Sequence, residues 1–265
     1  MKLGLEGKVV LVTGGSGSIG AAIATAYAAE GARTAVTYRG NPGRAQDVVD
    51  TITAQGGEAI SVQYDLADRS SIIAAVDAVV EQWGQIDVLV MSASALEGTR
   101  MDEMPFEKIP LDEWQPVLRA DVEGAFHTVQ AVLPVMKGRG WGRIAIISAN
   151  IVTKGATGDE AFVVSKMALH GLGRNLATEL AAEGILVNTV APGPTVSRGF
   201  LDRFPESVTK DFVGKSDAEI KQALNRGAPV GHVSTPADVA NTVLFLTSAA
   251  NGNVSGAVVH VAGGH

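Results

Sequence analysis

The chain has 265 residues, of which 46% are hydrophobic and 18% charged, with a formal net charge of −7 and a pI near 5.2. That length suits one large α/β domain or two small ones, and the hydrophobic fraction is ample for a packed core, which excludes global disorder. There is no cysteine, so disulfides, cysteine zinc sites and a cysteine nucleophile are excluded, and the acidic balance argues against a broad nucleic-acid or anionic-membrane surface.

The first apolar, β-branched run is Lys8 to Thr13. It meets the cluster Gly14-Gly15-Ser16-Gly17-Ser18-Ile19-Gly20, and an alanine-rich helical stretch follows from Ala21 to Glu30. Strand, glycine turn and helix in that order open a βαβ unit. The pattern repeats. Strands are expected at Thr34–Tyr38, Ala59–Tyr64, Ile86–Met91, Arg143–Ser148, Ile185–Val190 and Ala257–Val261. Helices are expected at Arg44–Gln55, Ser70–Trp83, Leu111–Met136, Asp159–Ala182, Asp217–Asn225 and Pro236–Leu246. Pro116 and Pro134 predict a kink or break in the long fourth helix.

Alternating strands and helices imply an α/β fold, a doubly wound, Rossmann-like parallel sheet covered on both faces. No linker, repeat or low-complexity tract interrupts it, so residues 1–265 read as a single domain. The stretch 194–226 follows a strand end and is the expected substrate lid. No apolar run reaches the roughly 18 residues of a membrane span, and Met1 to Lys8 does not read as a secretory signal. The expectation is a soluble, cytoplasmic protein with no nucleic-acid or membrane partner. His232, His260 and His265 show no metal spacing, so no metal is expected. His127 and His170 read as packed or surface histidines. Asp102-Glu103 and Asp112-Glu113 read as solvated charges at a helix start. Met91, Leu96, Trp141 and Phe200 are candidates to wall an apolar pocket, and the Glu97 to Pro110 segment follows a strand end where ligands bind.

The glycine cluster carries the first chemical signal. Glycines let the backbone approach a pyrophosphate, and the helix beyond offers free N–H groups and a positive dipole end. The loop resembles the Thr-Gly-x-x-x-Gly-x-Gly fingerprint of the short-chain dehydrogenase/reductase family, and the resemblance covers nearly the whole chain. It departs at Ser18, which stands at the middle glycine, with Gly17 one place early. That spacing also fits Thr-Gly-x-x-Gly-x-x-Gly. The resemblance implies cofactor contacts at Gly14, Ser16, Gly17, Ser18, Ile19 and Gly20, at Asp65 and Leu66 beside the adenine, at Ala93, and at Pro192, Gly193 and Thr195 on the nicotinamide side. It also implies a homodimer or homotetramer. After the second strand the chain reads Tyr38-Arg39-Gly40-Asn41, with no acid to hold a ribose 2′-hydroxyl. Arg39 can pair with a 2′-phosphate through two N–H groups, which favours NADP(H).

In this family a Tyr moves the substrate proton, and a Lys four residues later holds the nicotinamide ribose and lowers the Tyr pKa. A Ser thirteen residues before the Tyr orients the oxygen, and an Asn on the fourth helix completes the tetrad. Carried onto this sequence, the Lys is Lys166, the Tyr position is Phe162, the Ser position is Ala149 and the Asn position is Asp121. The usual Asn-Asn-Ala-Gly after strand four reads Met91-Ser92-Ala93-Ser94. Only Lys166 is kept.

A positioned proton donor is worth ~10² to 10⁴ in rate for ketone reduction. Phe162 and Ala149 supply none. An iminium ion needs no such donor, since hydride addition gives a neutral amine directly. Asp121 would add an anion near the cation, worth about 4 kcal/mol at ~4 Å and an effective dielectric near 20. When protonated it could assist loss of hydroxide from a hemiaminal. Phe162 would add an aromatic face worth ~0.5 to 2 kcal/mol. The expectation is therefore an NADPH-dependent reductase of an iminium or hemiaminal in a polycyclic amine natural product, serving antibiotic biosynthesis or self-resistance. Two alternatives stand beside it. One is a retired member binding dinucleotide as a sensor or scaffold, with Asp121 merely salt-bridged to Lys166. The other is an atypical carbonyl reductase or cyclase using Ser148, Asp159 or Glu160 as its acid.

Overall fold

A computed structural model describes residues 1–95, 104–195 and 215–265. Seven strands form one parallel sheet: β1 (Val9–Thr13), β2 (Arg33–Tyr38), β3 (Glu58–Gln63), β4 (Val88–Met91), β5 (Gly142–Ile147), β6 (Ile185–Pro192) and β7 (Val258–Val261). Their order across the sheet is β3-β2-β1-β4-β5-β6-β7. The order reverses between β1 and β4, where Thr13 lies opposite Met91. In open α/β sheets ligands bind outside the strand carboxyl ends at this switch point.

Each central strand alternates its side chains between two cores. Val9 and Leu11 of β1, Leu89 of β4 and Ile144 and Ile146 of β5 face one side. There they pack on α3 (Arg69–Trp83), α5 (Gly124–Met136) and α6 (Glu160–Leu180). Val10, Val12, Val88, Val90 and Ala145 face the other, against α1 (Ser18–Ala29), α2 (Pro42–Ala54) and α8 (Pro236–Thr247). Period-two alternation of uniformly apolar residues marks a sheet buried on both faces. A fully buried leucine or valine here contributes roughly 1.5 to 3 kcal/mol. The doubly wound expectation holds, with element ends within a few residues of those expected.

Four of the described helices are capped by their own sequence. Asn41 accepts from Arg44 N–H at 3.1 Å to start α2, with Pro42 in its first turn. Asp68 accepts from Ser70 N–H at 2.8 Å to start α3. Ser216 with Glu219 and Thr235 with Asp238 form capping boxes at α7 (Asp217–Asn225) and α8. These bonds satisfy N–H groups that a helix start leaves orphaned.

One expectation is corrected. The long fourth helix does not break at its prolines. Pro116 lies inside α4 (Leu111–Leu118) and Pro134 inside α5. The carbonyl partners they deprive of an N–H belong to Asp112 and Gln130, both exposed, where water can bond them. The irregularity sits between them instead. Arg119–Glu123 is wound as a π-helix, and Gly124 N–H reaches back to the carbonyls of both Ala120 and Arg119. Widened turns of this kind recur at functional sites, and this one carries Asp121. Among the described residues no helix is long and apolar enough to cross a membrane. Of the expected lid over 194–226, residues 196–214 lie outside the described residues, as do Leu96, Phe200 and Asp102-Glu103.

Candidate active site

Helix α1 lacks the side-chain cap that starts α2, α3, α7 and α8. Its N-cap is Gly17, no side chain caps it, and its first turn holds no acidic residue. Its leading N–H groups and positive dipole end are left for an anion from outside. The loop before it is braced on both sides. Gly14 N–H donates to Thr37 Oγ1 at 2.9 Å and Ser16 N–H to the Thr37 carbonyl at 3.1 Å. Thr13 Oγ1 accepts from Ser92 N–H at 3.0 Å and Ala93 N–H at 3.1 Å, tying β1 to β4. Gly14 has φ of +66°, and a Cβ there would stand 2.8 Å from Ala93 N. Glycine is required at that position by both the backbone and the close approach. Gly17 and Ser18 are exposed at the loop tip, and a serine at 18 is accommodated without positive φ. A dinucleotide phosphate fits such a cradle.

The other expected cofactor residues stand at the carboxyl ends of the strands. Tyr38 and the exposed Arg39 end β2, and Asp65 and Leu66 follow β3. Asp65 bonds Ala67 N–H at 2.9 Å and takes Ser71 Oγ on its own N–H at 2.9 Å, which fixes that turn. Pro192 ends β6, and Gly193 and the buried Thr195 follow it, with Thr195 Oγ1 donating to the Gly193 carbonyl at 3.0 Å.

Asp121 on the π-wound turn meets Lys166 and Phe162 on the first turns of α6. Lys166 and Asp121 form a buried ion pair, Nζ to Oδ2 3.0 Å, with side-chain exposures of 4% and 0%. Asp121 Oδ2 also accepts from Ser94 Oγ at 2.8 Å and Ser165 Oγ at 3.3 Å, and Oδ1 accepts from Ala95 N–H at 2.6 Å. The Phe162 ring is buried, with Lys166 Nζ 5.5 Å from its centroid. Ala149 stands at the close of β5, before the turn Asn150–Thr153. The anion expected to face a substrate cation thus faces Lys166 instead, and the pair carries no net charge. Protonated Asp121 as an aid to hydroxide loss also fits poorly, because each of its two oxygens faces a donor that cannot accept, Ala95 N–H on Oδ1 and the Lys166 ammonium on Oδ2.

The structure also places the substitute acids. Ser148 Oγ donates to the Lys166 carbonyl at 3.0 Å and lies 2.8 Å from His170 Nε2. Its hydroxyl is therefore engaged between β5 and α6. Glu160 accepts from Gly158 N–H at 3.0 Å, and Asp159 is buried at the N-cap of α6. His170, expected to be a packed or surface residue, bonds Ser148, and burial and the nearby His260 hold its pKa below the ordinary value. His260 Nδ1 lies 2.6 Å from Asn150 Oδ1. The two histidines thus brace Ser148 and Asn150, the residues on either side of Ala149. Trp141 is not a pocket wall. It precedes β5 at the amino end of the strands, between Lys8 Nζ at 4.2 Å and the Arg143 guanidinium at 4.5 Å. Met91 is core. Among the described residues no cluster of His, Asp or Glu could hold a metal.

Sequence reading missed Ser94 and Ser165 as partners of Asp121. They lie 27 and 44 residues from it. Their only signal is Ser94 in the place of the family's glycine after β4.

The chain is similar to known proteins over nearly its whole length. The family model described as enoyl-(acyl carrier protein) reductase matches residues 14–265. The 3-oxoacyl-[acyl-carrier-protein] reductase FabG of Staphylococcus aureus is 33% identical over 257 residues, covering 97% of each chain. A dehydrogenase/reductase of Sinorhizobium meliloti superposes with a TM-score of 0.84 at 32% identity, covering 99% of this chain and 96% of that one. A blue fluorescent protein from a metagenomic library, solved with NADPH, superposes with a TM-score of 0.81 at 33% identity, covering 98% of both chains.

Proposed function

The chain belongs to the short-chain dehydrogenase/reductase family, and from that premise we propose that it is an NADPH-dependent reductase of iminium carbons. The acceptor is the iminium of a polycyclic amine, or a hemiaminal that loses hydroxide to give one. The observation that carries this reading is the pair Phe162 and Ala149. They occupy the two positions where the family places its proton donor and its orienting hydroxyl, beside a retained Lys166.

The residues fit the cofactor. The uncapped N-terminus of α1 and the loop Gly14 to Gly20 would hold the pyrophosphate. Arg39 would pair with the 2′-phosphate, Asp65 and Leu66 would border the adenine, and Ala93, Pro192, Gly193 and Thr195 would border the nicotinamide. Lys166 has three N–H donors. One is directed at Asp121, which leaves two for the nicotinamide ribose. NADPH, when bound, supplies a hydride and leaves as NADP⁺.

The electron balance explains the missing acid. A C–H bond forms at the iminium carbon, and the C=N π pair becomes the lone pair of a neutral amine. No proton is needed. Phe162 presents an aromatic surface to the cation, worth ~0.5 to 2 kcal/mol where desolvated. Residues 1–265 would act as one unit. The product role is a biosynthetic finish or removal of a reactive electrophile in self-resistance. The assembly is a homodimer or homotetramer, and Phe126, Val164 and Met167 leave apolar surface exposed on α5 and α6.

The test is NADPH consumption with a cyclic iminium against its carbonyl analogue. Oxidation with the iminium and little with the ketone is expected. Equal turnover of the uncharged ketone would refute the reading. Tight NADPH binding with no hydride accepted by either would make the protein a dinucleotide binder.

A further inference from the structure

The Asp121 cluster is built for a carboxylate. Two of its donors have no acceptor capacity and cannot reverse. Ala95 N–H points at Oδ1 from 2.6 Å, and the Lys166 ammonium points at Oδ2 from 3.0 Å. An asparagine amide would turn its NH₂ on one or the other, placing donor against donor. Ser94 adds a hydroxyl donor to Oδ2 at 2.8 Å, whereas Ser165, 3.3 Å from Oδ2, shares its one proton with the Phe162 carbonyl at 2.9 Å. Ser94 stands where the family pattern reads glycine, so the donor and the carboxylate depart from that pattern together. Here a buried anion is matched by three close donors, the Ala95 N–H, the Ser94 hydroxyl and the Lys166 ammonium, the last of which is its counter-ion.

Charge follows from this. A buried lysine beside a neutral amide presents a net positive site, which repels a cationic acceptor and favours a carbonyl dipole. With Asp121 at 3.0 Å the Lys166–Asp121 pair sums to zero. We propose that Ser94, by holding Asp121 against Lys166, is a specificity-determining residue that makes the pocket tolerant of positively charged ligands. Asp121 acts on the substrate through the lysine charge it cancels, and Ser94 acts through Asp121. Neither needs to touch the reacting carbon. This inference rests on the iminium reading for its biological meaning, and its test does not require hydride transfer.

The experiment measures binding to the enzyme–NADPH complex of two probes of equal shape. One is an N,N-dimethyl tetrahydroisoquinolinium, which cannot accept hydride. The other is its uncharged carbocyclic analogue. Tryptophan fluorescence or calorimetry gives the ratio of their affinities. The wild type is expected to favour the cation by tenfold or more. Asp121→Asn should bring the ratio to one or below. Ser94→Gly should lower it at least threefold, and Ser94→Thr, which restores a hydroxyl, should recover it. If Asp121→Asn does not fold, the Ser94 pair decides alone. A wild-type ratio near one overturns the proposal, as does a Ser94→Gly ratio equal to the wild type. A strong cation preference without iminium turnover would sink the reductase reading and leave this inference standing. Iminium turnover with a ratio indifferent to Ser94 would do the reverse.

Discussion

At the scale of single residues, the decisive feature is a ring where a phenol is expected. Phe162 is buried beside Lys166 Nζ at 5.5 Å, so a hydroxyl added at the ring edge would enter a site that already holds its lysine. The double variant Phe162→Tyr with Ala149→Ser should gain reduction of uncharged ketones by ~10² to 10⁴ over the wild type, the usual worth of a positioned general acid. NADPH oxidation with a cyclic ketone reads it directly, and no gain would show that the pocket is closed to carbonyl substrates. A second residue tests the cofactor. Arg39→Asp places an acid at the end of β2, where it would hold a 2′-hydroxyl and repel a 2′-phosphate. The ratio of kcat/KM for NADPH over NADH should fall by at least tenfold, and an unchanged ratio would take Arg39 out of phosphate recognition. These positions were legible in the sequence because they stand at fixed spacings from Lys166 and from the strand ends. Ser94 and Ser165 were not, because their bonds to Asp121 cross 27 and 44 residues and leave no local periodicity.

At the scale of elements, the π-wound turn Arg119–Glu123 sets where Asp121 points, and the next residue anchors it. A Cβ on Gly124 would fall 2.2 Å from the Leu66 carbonyl and 2.8 Å from Leu66 Cγ. The turn after β3 and the start of α5 therefore touch backbone to backbone. Tyr64 Oη, on the same turn, also bonds Thr128 Oγ1 at 2.6 Å. Gly124→Ala should force the two apart at a cost of about 1 to 3 kcal/mol. The expected outcome is a lower Tm together with weaker NADPH binding, since Leu66 and Asp121 move with the two elements. A lowered Tm with unchanged NADPH affinity would show that the contact is structural alone. The prolines drew the sequence reading to the wrong places, because a proline announces a missing N–H but not whether water can serve the orphaned carbonyl. The π turn has no residue signature of its own. It arises from how α4, α5 and the β3 turn fit together, which is tertiary information.

At the scale of the whole molecule, the doubly wound sheet was legible from apolar runs alternating with helical stretches, whereas the strand order needs long-range pairing that one sequence does not display. The same long-range ties link stability to pH. His170 on α6 bonds Ser148 of the β5 end, and His260 on β7 bonds Asn150 of the turn that follows. Burial first, and the charge of His260 second, hold the His170 pKa below its ordinary 6.5 in the folded state. Lys166, one turn before it on α6, has its charge cancelled by Asp121. In the unfolded chain His170 takes a proton near its ordinary pKa, while the folded site resists it. Below pH 6.5 the unfolded state then binds more protons than the folded one, and stability falls as pH drops toward the lowered pKa. Above pH 6.5 both states are neutral and the effect is gone. Thermal melts from pH 7.5 down to about pH 5 should therefore show a steeper loss of Tm in the wild type than in His170→Gln, whose amide N–H can still donate to Ser148. His260→Gln should flatten the same limb by a smaller amount, because it removes only the second of the two causes. Parallel acid limbs in all three proteins would mean that these histidines do not set the acid stability of the fold.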